Sequence, residues 1–174
     1  MTLRRDSSED GRSWAVFSLF KTHRYALGRD WSGMFDGPPR TLLSCGLNPS
    51  KAAIDDDQTI RKDIGFGKRL GCQRLVKVNL YGVIETDSRK LLDIEHPAAT
   101  ENDECIRAEV AKLAGSPVLV LASWGSHPMA TPERIAAVCA LLPKPIMCLG
   151  KTLDGAPRHP ARIAYATPLE VWTP

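Results

Sequence analysis

The segment Pro117-Val118-Leu119-Val120-Leu121-Ala122 is apolar at every position, so both faces of the strand it forms call for burial. A strand covered on both faces belongs inside a sheet with helices above and below. The rest of the chain supplies those neighbours. Thr41-Leu42-Leu43-Ser44-Cys45, Arg74 to Leu80 and Lys144 to Leu149 read as three further strands. A helix is expected from Thr59 to Leu70, stopped by Gly71, and a second from Asn102 to Ala114, with Thr100 or Asn102 as its N-cap. A third runs from Pro132 to Leu142, its proline suited to a first turn. Alternation of this kind predicts a three-layer α/β/α sandwich around a central, mainly parallel four-stranded sheet.

At 174 residues the chain fits one domain, expected over residues 14–174 behind a polar, flexible N-terminal segment at 1–13. Trp14 to Trp31 is rich in aromatic and basic residues, and alternation around Arg24 to Arg29 predicts a strand or hairpin ahead of the main sheet. Asp36-Gly37-Pro38-Pro39 reads as a loop. No apolar run reaches membrane-spanning length, and Met1 to Asp6 lacks the apolar stretch of a secretory signal, so a cytoplasmic protein with no membrane partner is expected. The five cysteines are odd in number, scattered and never paired as Cys-x-x-Cys, which argues against a disulfide framework or a zinc site. A net charge of +3 neither requires nor excludes nucleic acid, and the sequence sets no oligomeric state.

In parallel sheets, ligands bind beyond the carboxyl ends of the strands. Collecting what leaves each strand there gives Gly46, Asn48, Pro49 and Ser50, then Asn79 and Tyr81, then Trp124 and Gly125, and finally Arg158, His159 and Arg162. Asparagine amides read the edge of an uncharged planar ligand, and aromatic rings supply a stacking face. A nucleic acid or nucleotide is therefore the expected partner, with no cofactor and no metal. Asp55, Asp56 and Asp57 read first as capping and complementing the helix that follows, and second as a Mg²⁺ site for phosphoester chemistry. Of the other His-Pro pairs, His96-Pro97 reads as an exposed turn, while His127 lies close enough to Trp124 to share the cleft. Gly65-Phe66-Gly67 is too short for a phosphate loop.

Leu47 to Ser50, Asp55 to Arg61, Val78 to Tyr81, Ser123 to Gly125 and Gly155 to Pro160 together resemble domain of unknown function 1643, a bacterial and phage family. The resemblance runs in order from about Arg24 to Tyr165. A more distant resemblance is to the uracil-DNA glycosylase superfamily, carried by Gly46 to Ser50, Asn79, Trp124-Gly125 and His159-Pro160 in that order. It implies the glycosylase fold and hydrolysis of an N-glycosidic bond to a nucleobase. Asn48 would hold the attacking water, Asn79 would read the base edge, and His159 would donate to the departing base. Phe66 or Tyr81 would stack on it. The chain departs from that pattern: Gly46 to Ser50 contains no aspartate, Ser50 stands where glycine is usual, and Ala161-Arg162 follows His159-Pro160 in place of a serine and a wedge leucine. Those departures leave a non-catalytic module that binds a nucleotide or modified base as the alternative.

Overall fold

The computed structural model describes residues 3–33, 37–51, 55–94 and 100–173. The loop expected to begin at Asp36 and the His96-Pro97 turn fall wholly or partly outside these residues. The protein is a mixed α/β structure built on one eight-stranded sheet. Its strands are β1 (Leu3–Ser7), β2 (Ser13–Ser18), β3 (Arg24–Asp30), β4 (Thr41–Gly46), β5 (Arg74–Asn79), β6 (Val118–Ala122), β7 (Ile146–Cys148) and β8 (Glu170–Val171). They lie in the order β1-β2-β3-β5-β4-β6-β7-β8. The three α-helices are α1 (Gln58–Arg69), α2 (Thr100–Ala111) and α3 (Pro132–Cys139).

The expectation of four strands is thus corrected to eight. The four expected strands pair in parallel as β5-β4-β6-β7, and β4 sits between β5 and β6. Antiparallel pairs extend this group on both sides: β3, β2 and β1 beyond β5, and β8 beyond β7. The two outermost strands escape sequence reading for a physical reason. Leu3–Ser7 is largely exposed and Glu170–Val171 fully so, and neither carries the apolar alternation that marks a half-buried strand. Residues 3–7 pair with β2 in register from Leu3 opposite Ser18 to Ser7 opposite Trp14.

Alternation along the central strands sorts the core into two clusters. Leu43, Cys45, Val76, Val78, Val120 and Ala122 pack with Cys105 and Ile106 of α2 and with Val138 and Cys139 of α3. Leu42, Leu75 and Leu121 point the other way and pack with Ile60 and Phe66 of α1. Both ends of α1 and the start of α3 follow their sequence signals. Asp57 caps α1, its Oδ1 accepting from the Ile60 amide at 2.9 Å, and Gly71 leaves the helix at φ +71. Thr131 caps α3, accepting from the Arg134 amide at 3.2 Å. The expected capping role of Thr100 or Asn102 is corrected: both lie inside α2, and Asn102 is fully buried. Its Nδ2 instead donates to the carbonyls of Asn79 and Leu80, at 3.1 and 3.3 Å, and so pins the exit of β5. No described helix is long and apolar enough to cross a membrane.

Candidate functional site

Three central strands show the same progression on the face that α1 covers. Leu42, Ser44 and Gly46 follow one another on β4, Leu75, Lys77 and Asn79 on β5, and Leu121 and Ser123 on β6 and its exit. Each strand passes from apolar core, through a buried polar residue, into a cleft of about 700 Å³. Nine of the expected site residues line that cleft: Gly46, Asn48, Ser50, Asn79, Trp124, Gly125, Arg158, His159 and Arg162.

Backbone bonds hold its walls. The Leu80 amide donates to the Gly46 carbonyl at 2.8 Å, and the Ser123 amide to the Cys45 carbonyl at 2.8 Å, so the segments leaving β4, β5 and β6 stay together. Gly125, at φ +75, donates its amide to the Pro157 carbonyl at 3.0 Å, which ties the exit of β6 to the loop bearing His159. Gly46 is required by close approach. A Cβ there would lie 2.8 Å from Asn79 Oδ1 and 3.1 Å from Lys77 Nζ.

The two asparagines differ in what they can offer. Asn48 Nδ2 donates to the Glu85 carbonyl at 2.8 Å and the Pro49 carbonyl at 3.0 Å, which leaves the amide oxygen as its polar group for the cleft. Asn79 is only 2 % exposed, yet its side chain makes no hydrogen bond to another described residue. Asn79 is thus a largely buried residue on the lining of the cleft. His159 Nδ1 accepts from the Ala161 amide at 3.3 Å, so in the neutral ring the proton sits on Nε2. Desolvation by the cleft walls, then the Lys77 ammonium, push this imidazole below its ordinary value, with Asp63 and Asp57 opposing.

The charged residues form a basic lining. Arg24, Lys77, Arg158 and Arg162 line the cleft together with Asp57 and Glu85. Burial pushes the Arg24 guanidinium down to about 10, with Asp57 opposing. Burial pushes the Asp57 carboxyl up, but Ser50 Oγ at 2.6 Å, the Ile60 amide and Arg24 outweigh it and hold it below the usual range. Asp56 pairs with Arg29 at 2.7 Å. Capping and pairing therefore account for two of the three aspartates, and no group of three or more His, Cys, Asp or Glu residues among those described could hold a metal ion.

Three expected site residues stand outside the cleft. Phe66 is 1 % exposed and packs against Tyr165 with ring centroids 4.9 Å apart, so it cannot stack on a ligand. Tyr81 is buried too, and its hydroxyl donates to the Met129 carbonyl at 2.6 Å, bracing the loop after β6. Pro49 is buried and supports the wall, its carbonyl accepting from the Glu85 amide at 3.0 Å. Trp124 divides its roles: it lines the cleft but packs edge-on against Trp172, with centroids 4.9 Å apart.

Arg24, Lys77 and Glu85 line the cleft without having been expected there. Lys77 leaves a trace in the sequence, a charge at an inward position of an otherwise apolar strand. Arg24 does so less clearly, at the start of an alternating strand. Glu85 leaves none, because its place depends on how the loop after β5 folds back onto Asn48 and Pro49.

A family model described as Protein of unknown function (DUF1643) matches residues 24–161. No curated protein matches the chain, and no solved structure matches it.

Proposed function

We propose, for a chain that belongs to the DUF1643 family, that the cleft receives a nucleobase and hydrolyses its N-glycosidic bond, in DNA or in a nucleotide. One observation carries this reading: Asn48, Asn79 and His159 all line the same cleft. This reading carries with it a three-layer frame of the uracil-DNA glycosylase type, and the parallel pairing of the four central strands supports it.

The chemistry assigns each group a task. Asn79 offers both a donor and an acceptor to the base edge. Asn48 Oδ1 holds a water against the sugar carbon. That water adds its oxygen to the carbon while the carbon–nitrogen bond breaks, and the bonding electrons leave with the base. Negative charge grows on the base oxygen, toward which His159 Nε2–H donates. A donor positioned where charge develops is typically worth about 3–4 kcal/mol. The water's surplus proton ends on the base or in solvent. Glu85 lines the same cleft, its backbone bonded to Pro49 and Asn48 and its Oε1 accepting from the Asp87 amide at 2.9 Å, and it offers the carboxylate missing from the Gly46 to Ser50 segment. In this reading that carboxylate is the general base and accepts the proton first.

The test is release of free base from uracil-containing, mismatched or modified oligonucleotides and from nucleotides. Wild type should release base, and Asn48→Ala, Glu85→Gln and His159→Ala should each slow release by about tenfold to a thousandfold. No release across the panel would remove the hydrolytic reading.

The exclusion of Phe66 and Tyr81 from the cleft favours a second reading, a module that binds a nucleotide or modified base without turnover. It predicts tight binding of an intact ligand and no free base.

A further inference from the structure

Beneath the cleft lies a polar cluster that the proposed chemistry has not used. Lys77, on the central strand β5, has a side chain only 5 % exposed, and Asp63 of α1 is 0 % exposed. Lys77 Nζ donates to Asp63 Oδ2 at 2.8 Å, to Ser44 Oγ at 3.0 Å and to Ser123 Oγ at 3.0 Å. These three acceptors use all three ammonium protons. The serines are satisfied in turn: Ser123 Oγ donates to the Cys45 carbonyl at 2.8 Å, and Ser44 Oγ lies 3.1 Å from Asp63 Oδ2.

Four polar side chains from β4, α1, β5 and the exit of β6 thus converge in a layer that is apolar elsewhere. Stability alone does not call for them. Replacing a buried ion pair with apolar residues of similar volume is often neutral or stabilising. Their position is more informative. Lys77 lines the cleft, and a Cβ on Gly46 would stand 3.1 Å from its Nζ, so the ammonium lies directly under the segment that carries Asn48. With its protons committed, it acts on a ligand through its charge.

We propose that Lys77 is a positioning residue of the cleft: an ammonium fixed by Asp63, Ser44 and Ser123 that selects a base whose oxo or anionic edge faces the floor. This inference rests on the base-binding reading and names the class of base, one with an acidic ring N–H beside a carbonyl. The lining is consistent with it, since Arg24, Lys77, Arg158 and Arg162 outnumber Asp57 and Glu85. The same charge acts on His159. The charged groups bearing on that ring are Lys77 from β5, Asp63 and Asp57 from α1 and its cap, and Arg158 and Arg162 beside it in the chain. Lys77 is the largest electrostatic influence among them and opposes a proton on the ring.

The experiment uses the whole chain in three forms: wild type, Lys77→Met, and Lys77→Met with Asp63→Leu. The double variant leaves no lone buried carboxylate and keeps the experiment usable if the single variant fails to fold. The His159 titration is followed by NMR, with its signal assigned from His159→Gln. Binding of uracil and of cytosine is measured by calorimetry at pH 7 and pH 9. Wild type should favour uracil, more so at the higher pH, and loss of Lys77 should cut that preference at least about tenfold. The His159 midpoint should rise in a folded Lys77→Met variant, and by less in the double variant, because Asp63 opposes Lys77 at that ring. A midpoint and a uracil preference both unchanged in a folded variant would overturn the proposal. If neither base binds wild type but the midpoint rises, the electrostatic role of Lys77 stands and the base-binding reading fails.

Discussion

His159 shows how a single residue is tuned by its surroundings. The Ala161 amide occupies Nδ1, and desolvation with Lys77 lowers the affinity of the ring for a proton. In the proposed reaction the neutral ring is the working form, so base release should be flat at higher pH and fall as the pH drops through a midpoint below the ordinary histidine value. Stability follows the same sign. The unfolded ring binds its proton at a higher pH than the folded one, so the contribution is complete above the unfolded value of 6.5 and is lost as pH falls through the folded one. Rates and thermal midpoints measured from pH 8 to pH 4 test both, and His159→Gln should remove this limb of each profile.

At the scale of elements, α1 is bound to the cleft through its cap. Asp57 accepts from the Ile60 amide with one oxygen and from Ser50 with the other, so one carboxylate starts the helix and fixes the end of the Gly46 to Ser50 segment. Asp57→Ala should cost about 1 kcal/mol from the cap alone, read as a lower denaturation midpoint. It should also weaken ligand binding, because Ser50 loses its anchor. Asp57→Asn should recover most of the stability, since Asn caps equally well. The helices and inner strands were legible in sequence because burial writes itself as periodicity: β6 is apolar throughout, and Gly71 stops α1 where a left-handed residue is needed. The pairing of β1 and β8 was not legible, since exposed strands carry no such pattern. Likewise, the places of Asn48, Asn79 and His159 on the lining of the cleft were readable from the strand exits, whereas that of Glu85 depends on a loop returning to Pro49.

Across the whole molecule, the five cysteines report on both sides of the sheet. All are buried; Cys45, Cys105, Cys139 and Cys148 lie in the cluster under α2 and α3, and Cys72 lies in the cluster under α1. Burial pushes the thiols of Cys45 and Cys105 up to about 12, so little of either exists as reactive thiolate at neutral pH. None of the five should react with a thiol reagent in the folded protein. All five should react on unfolding, and labelling at intermediate denaturant should modify Cys72 together with the other four if the two sides form one cooperative unit. Labelling of Cys72 alone would show that the α1 side opens separately.

Gly46 and Asn79 stand opposite each other in the pairing of β4 with β5. The missing side chain at the first position makes room for the amide at the second. In descent, neither position is then free to drift alone. Relatives that keep a long polar side chain opposite should retain glycine, and those that shorten it should accept a larger residue in its place. The two sites are expected to change as a pair, and a lineage that loses the amide should be free to lose the glycine with it.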